Sequence, residues 1–299
     1  MMYLDLSSLV FSVLGLGLAI PSNTCIVMGN LDIIRKKGKL SPTDVIFLVK
    51  GIVNILLQCV LSLQEMIYVF FTALFYVEEV RGFNTSSYLL IYYSFWLTFW
   101  LSAHYCTSIT NLSYGFFIWL KRIVSNFLSQ LLFLTTLGTF ILSVPCFWVV
   151  HSENIQSSEN STGASLPRFR FSLSYFVPVT FLGCILHSCL SLLCLVLSFS
   201  FLLRHVWRVK NKDSGSTRPN LQVHVTALRT IFFLLLIFIF FCMPHVRPFL
   251  QNYSFIIVFW DLQLLSPSVE AAIIFQASNK LRRIILRRFW TRRWRNVET

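Results

Sequence analysis

The sequence predicts an all-α membrane protein: a bundle of seven transmembrane helices with its N-terminus outside the cell and its C-terminus in the cytoplasm. The first observation is composition, because 56% of the 299 residues are hydrophobic and only 12% are charged. That is too little charge to cover a soluble protein of this size. The second observation is a succession of apolar runs, and the third is the uneven distribution of basic residues between them.

Seven apolar runs reach the length of about 20 residues that a membrane-spanning helix needs. They cover residues 7–34, 45–74, 88–110, 126–150, 175–203, 227–249 and 255–275. The residues before the first run, MMYLDLSS, lack the positive charge of a cleavable signal peptide, so we expect this run to remain as the first span. The predicted seven-helix domain therefore covers 1–275, and a basic tail covers 276–299.

Basic residues fix the predicted orientation. Segments on one side of the bundle hold most of the 25 lysines and arginines, at 35–44, 111–125, 204–224 and 276–299. The positive-inside rule places these segments in the cytoplasm. The net charge of +13 is thus explained by loops at the membrane surface rather than by nucleic-acid binding. The tail KLRRIILRRFWTRRWR predicts an amphipathic helix lying on the anionic lipids of the inner leaflet.

Four Asn-x-Ser/Thr patterns bear on glycosylation. With the predicted orientation, Asn160 lies in the middle of the longest outside loop and is the best acceptor. Asn84 and Asn252 are poorer acceptors because they lie close to span ends. Asn111 falls on the cytoplasmic side, where its pattern is a chance match.

No catalytic or metal-binding pattern occurs in the sequence. All eight cysteines fall inside apolar runs, so no loop disulfide is available, and no Cys/His spacing suits a metal. HExxH, paired intramembrane aspartates and a Ser/His arrangement are also missing. We therefore expect no enzyme activity and no cofactor.

Four ionisable residues lie within or at the edges of the spans: Lys50, Glu65, Asp261 and Glu270. Each needs a reason, since a charge at the bilayer centre costs about 2.5–3.5 kcal/mol. Lys50 is close enough to the cytoplasmic end for its ammonium to snorkel to water. Glu65 either reaches water at the outer rim or lines a cavity that opens outward. Glu270 lies about 15 Å into the membrane, and its candidate partners are Asn54, Lys50 and His104. Such an acid suits either an ion pathway or a polar switch.

Aromatic and polar residues in the outer halves of the spans predict an apolar pocket with a few polar anchors. Trp96 and Trp100 are four residues apart and share one helix face. The other candidate pocket residues lie at similar depth: Gln64, Glu65, Phe241, His245, Trp260 and Gln263. Pro178, Pro244 and Pro267 predict bends in spans five, six and seven.

Five motifs in order resemble the type 2 (bitter) taste receptors, a family of G-protein-coupled receptors. In chain order they are SPTD, LSAHYCTSITNLS followed by WLK, LLRHVWRV, HVTALRT, and SPSVEAAIIFQASNKLRR. They are distributed between residues 41 and 283, the resemblance extends along nearly the whole chain, and the Asn160 pattern also falls where the family carries one. Rhodopsin-like signatures such as Asp-Arg-Tyr after span three are missing.

The resemblance implies a plasma-membrane receptor that binds small, bitter compounds and activates a gustducin-like Gi-class G protein. It places ligand contacts at Trp96, Trp100, Phe241, Trp260 and Glu65. It places coupling or activation at residues toward the inner ends of the spans: Asn54, Tyr105, Asn111, His205, His224, Leu228, Arg229 and Glu270.

Two positions depart from the family pattern. Asn54 stands where the family usually has Arg, and Glu270-Ala271 stands where it usually has His-Ser. Both belong to the polar interior, so resting-state control is expected to differ, and a divergent, non-mammalian member is indicated. The alternatives are a vomeronasal type 1-like pheromone receptor, which HVTALRT disfavours, and a small transporter or channel that uses Glu270.

Overall fold

The structure is a computed structural model of the chain, and it describes part of the sequence. The described residues are 2–70, 77–109, 118, 122–123, 126–153, 168–171, 173–212, 226, 229–230, 232–233, 235–237, 258, 261–278 and 281–284.

The described residues form helices and one small sheet. The helices are α1 (Met2–Lys37), α2 (Pro42–Phe70), α3 (Val77–Ile109), α4 (Leu128–Ser143), α5 (Cys146–Val149), α6 (Leu173–Thr180), α7 (Leu186–Lys212) and α8 (Ser266–Ala277). A π-helical segment, Phe181–Ile185, joins α6 to α7. The strands are β1 (Val150–Glu153) and β2 (Arg168–Phe171).

Four helical stretches in the described part of the chain are long and apolar enough to cross a membrane: Ser7–Lys36, Pro42–Ile67, Leu128–Trp148 and Val177–Phe201. They coincide with predicted spans one, two, four and five. Helix α3 has 33 residues, long enough for a bilayer at 1.5 Å per residue, but its tyrosines, tryptophans and hydroxyl residues make it less apolar. It begins well before residue 88, the predicted start of span three.

The sheet is a difference from the all-α prediction. Strands β1 and β2 are antiparallel, with Val150 opposite Phe171 and Glu153 opposite Arg168. They lie in the predicted second outside loop, where their backbone groups pair with each other rather than with a helix.

Local sequence explains where the first two helices meet. Gly38, with φ of 69°, ends α1 in the left-handed conformation that glycine adopts without a steric penalty. Its amide donates to the carbonyl of Ile34 at 2.8 Å. Ser41 then caps α2 by accepting a hydrogen bond from the amide of Asp44 at 3.2 Å. These two caps fold the chain back, so that α1 and α2 pack against each other.

Helix α3 is the centre of the described bundle, since it packs against α2, α4, α5, α7 and the π-helical segment. Gly183 in the π-helical segment allows one close approach, because a Cβ there would lie 2.9 Å from the ring of Tyr92. The π-helical segment follows Pro178, which was predicted to bend span five. Pro267 lies at the start of α8, just after the turn at Leu265 that interrupts the seventh span. Pro244 lies outside the described residues.

Apolar side chains cover the outer surface of the bundle. Many leucine, valine and phenylalanine side chains on α1, α4 and α7 are half exposed or more, as with Val13 (54%), Phe133 (71%) and Leu193 (54%). The buried interior, by contrast, contains many polar side chains. This inversion of the soluble pattern suits a protein whose surroundings are lipid.

Candidate functional site

A polar stripe runs along the buried face of α2. Its members are spaced at three or four residues, so they share one face of the helix: Lys50, Asn54, Gln58, Ser62 and Glu65. None is more than 7% exposed. The stripe extends over about 22 Å of the helix at 1.5 Å per residue. One hydrogen bond lies within it, from Gln58 Nε2 to Ser62 Oγ at 3.0 Å.

Lys50 meets Glu270 in the bundle interior. The Lys50 Nζ atom lies 3.1 Å from Glu270 Oε2, and the two side chains are 0% and 7% exposed. The ammonium also donates to the Ser94 carbonyl at 3.1 Å, to Ser94 Oγ at 2.9 Å and to Thr98 Oγ1 at 3.0 Å. We call Lys50, Ser94, Thr98 and Glu270 the Lys50 cluster. It joins α2, α3 and α8.

The predicted explanation of Lys50 was therefore wrong. Its ammonium does not snorkel to the membrane surface, because the whole side chain is buried and fully hydrogen-bonded. Among the three candidate partners of Glu270, the structure selects Lys50. An opposite charge, and several hydrogen-bond acceptors around the ammonium, lower the cost of placing both charges in a medium of low dielectric constant.

Ser94 completes the cluster from α3. Its hydroxyl accepts from Lys50 and lies 3.4 Å from Glu270 Oε2, to which it donates. Sequence reasoning missed Ser94 and Thr98. The available signal was their spacing of four residues, which puts two hydroxyl groups on one face of an apolar helix.

Asn54 lies one turn from Lys50, in a network that links α1, α2 and α8. Asn54 donates to Asn23 Oδ1 at 3.3 Å. Asn23 in turn donates to the Pro267 carbonyl in the first turn of α8 at 3.0 Å. The predicted activation residue Asn54 thus lies beside the Lys50 cluster.

A second buried carboxylate, Asp261, faces the N-terminal end of α1. Ser7 Oγ donates to Asp261 Oδ2 at 2.9 Å, and Ser8 Oγ donates to Asp261 Oδ1 at 2.5 Å. Asp261 is 6% exposed. We call Ser7, Ser8 and Asp261 the Asp261 cluster.

Glu65 and Gln263 are both buried, at 7% and 3% exposure. Burial of Glu65 means that its carboxylate does not extend into water at the rim, which was one of the two readings of its position. The neighbouring Gln64 accepts from Ser87 Oγ at 3.2 Å and donates to Asn84 Oδ1 at 3.3 Å. Asn84 therefore lies within α3 rather than in a loop, an unfavourable place for a glycan.

Trp96 and Trp100 lie on the other side of α3 from the Lys50 cluster. Each tryptophan is two residues along the chain from Ser94 or Thr98. Two residues correspond to a rotation of about 200° around the helix axis. The ring centroid of Trp96 lies 5.9 Å from that of His187 on α7. Phe95 stacks on the same histidine at 5.3 Å. His187 therefore packs against the rings of Phe95 and Trp96 where α3 meets α7. Sequence reasoning missed this histidine.

The remaining predicted site residues are placed only in part. Tyr105 packs against the hydrophobic core beside α2, and Arg229 is exposed. His205 lies in α7, but its side chain is not described. The other predicted residues fall outside the described part of the chain: Asn111, His224, Leu228, Phe241, His245, Trp260, Asn160 and Asn252.

Comparison with known proteins gives one consistent result. The sequence profile of the family described as "Taste receptor protein (TAS2R)" matches residues 2–293. The chain is 27% identical to taste receptor type 2 member 40 of Gallus gallus over 76% of this chain and 74% of that one. It is 26% identical to taste receptor type 2 member 9 of Homo sapiens over 91% and 89% of the two chains. Member 43 of Papio hamadryas is 29% identical over 87% and 85%.

Proposed function

The chain belongs to the TAS2R family of taste receptors, and on that basis we propose that it detects small, bitter compounds inside a transmembrane bundle and activates a gustducin-like, Gi-class G protein. As a member of this family it is a multi-pass membrane protein and a G-protein-coupled receptor. The observation that carries the proposal is the match over residues 2–293, which takes in every predicted span.

We place the receptor in the plasma membrane with seven spans and the N-terminus outside. Support comes from the four membrane-capable stretches and from the basic segments 35–44, 111–125 and 204–224, which the positive-inside rule assigns to the cytoplasm. In this orientation the G protein meets the inner ends of α3 and α7, where Tyr105 and His205 lie. Asn160 would carry a glycan on the outer face.

The ligand pocket is proposed between the outer halves of the helices. Trp96 is half-buried against His187, and Glu65 and Gln263 are buried on other helices. Aromatic surfaces with a few polar anchors suit small, partly apolar compounds. His187 is added here to the predicted pocket residues Trp96, Trp100, Phe241, His245 and Trp260.

Calcium imaging tests the proposal. Cells expressing the chain with a chimeric G protein that couples Gi-class receptors to calcium release are exposed to a panel of bitter compounds, with mock-transfected cells as the control. We expect at least one compound to give a response that requires the G protein. Trp96→Ala should then raise the half-maximal concentration roughly two- to tenfold, as the loss of one aromatic contact predicts.

Trp148 offers a matched control. It is 65% exposed on the outer surface of the bundle, so Trp148→Ala should leave the half-maximal concentration unchanged. A panel without any G-protein-dependent response would contradict the proposal. An ionic current or uptake that needs no G protein and disappears in Glu270→Gln would favour a transporter or channel instead.

A further inference from the structure

We propose that the Lys50 cluster is a resting-state lock, a three-helix contact that must open for the receptor to activate. The inference rests on the proposed receptor function. The Lys50 cluster is the contact that keeps the receptor inactive in the absence of agonist. Lys50 and Glu270 are the charged partners, and Ser94 and Thr98 are positioning residues on α3.

In the structure, the hydrogen-bonding capacity of the Lys50 ammonium is fully used. The three ammonium protons of Lys50 face four acceptors at 2.9–3.1 Å, from Ser94, Thr98 and Glu270. These acceptors come from two further helices. Any motion of α8 or α3 relative to α2 by a few ångströms therefore breaks charged hydrogen bonds inside the bundle.

A second hydrogen-bond acceptor for Lys50 lies close to the lock. Asn54 follows one turn later on the same face of α2, and its Oδ1 atom is buried without a hydrogen-bond partner. An ammonium released by Glu270 can therefore be accepted by Asn54 without leaving the helix. Two discrete partner sets separated by a small motion are what a two-state switch requires.

The start of α8 allows that motion. The helix begins just after the turn at Leu265, with Pro267 in its first turn, and the carbonyl of Pro267 accepts a hydrogen bond from Asn23 of α1. A chain interrupted there can swing α8, and Glu270 with it, about a fixed point. Glu270 lies one turn beyond that point.

Basal signalling in isolated membranes tests the lock. Nucleotide exchange on added Gi-class G protein is measured without agonist and divided by the amount of receptor, so that trafficking of a variant does not matter. Glu270→Gln should raise basal exchange at least about fivefold, the lower range of allosteric coupling. Adding Asn54→Ala to Glu270→Gln should reduce that rise, because the second partner of Lys50 is then lost.

Two further variants separate the lock from general damage to the fold. The exchange of charges in Lys50→Glu with Glu270→Lys restores an ion pair between the same helices and should bring basal exchange back toward the wild type. Asp261→Asn alters another buried carboxylate near α8, outside the lock, and should leave basal exchange at the wild-type level.

Basal exchange equal to the wild type in Glu270→Gln, with normal agonist responses, overturns the lock and leaves the proposed function intact. The same rise in Glu270→Gln and in the charge exchange also overturns it, since the pair would then have no specific role. If Glu270→Gln does not accumulate, Lys50→Gln with Glu270→Gln takes its place and should show the same rise. Absence of exchange in every receptor, with agonist or without, overturns the proposed function as well.

Discussion

The Lys50 cluster and the Asp261 cluster both bury a carboxylate, but they stabilise it differently. Glu270 faces an ammonium at 3.1 Å, whereas Asp261 accepts hydrogen bonds from the neutral hydroxyls of Ser7 and Ser8. Removing one partner of a buried ion pair leaves an unpaired charge, and removing a hydroxyl leaves only an unmade hydrogen bond. The first contact should therefore be rigid and costly to break, and the second should be easier to rearrange.

The largest expected effect is on the ion pair. Lys50→Ala leaves the Glu270 carboxylate without its counter-charge, and we expect it to lower stability by about 3–5 kcal/mol. The double change Lys50→Met with Glu270→Leu removes both charges and should cost less than the single change. Thermal unfolding in detergent, followed with a thiol-reactive dye on the buried cysteines, measures both.

Equal losses in the single and the double variant would contradict this view of the pair. The comparison with the Asp261 cluster would then lose its basis, since charge would not be what distinguishes the two contacts.

The contact between α1, α2 and the seventh span should give the next effect. A Cβ at Gly15 would lie 2.4 Å from Gln58 Nε2 and 2.6 Å from the Leu264 carbonyl. Gly15→Ala should therefore separate these segments and destabilise the protein by about 1–3 kcal/mol, as overpacking does. Gly17→Ala is the matched control, because nothing lies within 4 Å of its added Cβ.

If Gly15→Ala and Gly17→Ala melt at the same temperature in that assay, the close packing of α1 against Gln58 and Leu264 is wrong. A rise in stability for Gly17→Ala is compatible with it, since alanine favours an open helical position.

The smallest effect should come from the Asp261 cluster. Ser8→Ala removes one neutral donor while Ser7 remains, and we expect a loss of about 1 kcal/mol. The measurement is the same unfolding curve, with Ser22→Ala as the control, since the Ser22 hydroxyl bonds only to backbone carbonyls of its own helix. A loss as large as that of Lys50→Ala would erase the distinction between the two clusters.

Much of the bundle could be predicted, because apolar length is a local property of the sequence. The stretches at 7–36, 42–67, 128–148 and 177–201 follow the predicted runs. The start of α3 at Val77 could not be predicted from the sequence, because Glu78, Glu79 and Arg81 are typical of a loop. A helix can nevertheless continue beyond the bilayer into water. The pairing of β1 with β2 joins residues far apart in the loop, and no local signal sets its register.

Of the Lys50 cluster in the candidate site, only the two charged members were predictable from the sequence. Glu270 and Lys50 stood out as charges in apolar runs, but their depth alone suggested that Lys50 would reach the surface. Only the packing of α8 beside α2 and α3 places the two within 3.1 Å. The roles of Trp96, Tyr105 and the other predicted site residues stay predictions.

The distance between Lys50 and Glu270 along the chain has a consequence for biogenesis. Helix α2 enters the membrane about 220 residues before its counter-ion is made, which is roughly 10–40 s at ordinary rates of synthesis. Until Glu270 is synthesised, the Lys50 ammonium needs another polar environment. A lysine near the cytoplasmic end of a span can extend to the lipid headgroups. The side chain would thus begin at the membrane surface and move inward when the last span arrives. Assembly of this receptor should accordingly be completed late, and the nascent chain should depend on chaperones while that charge is unpaired.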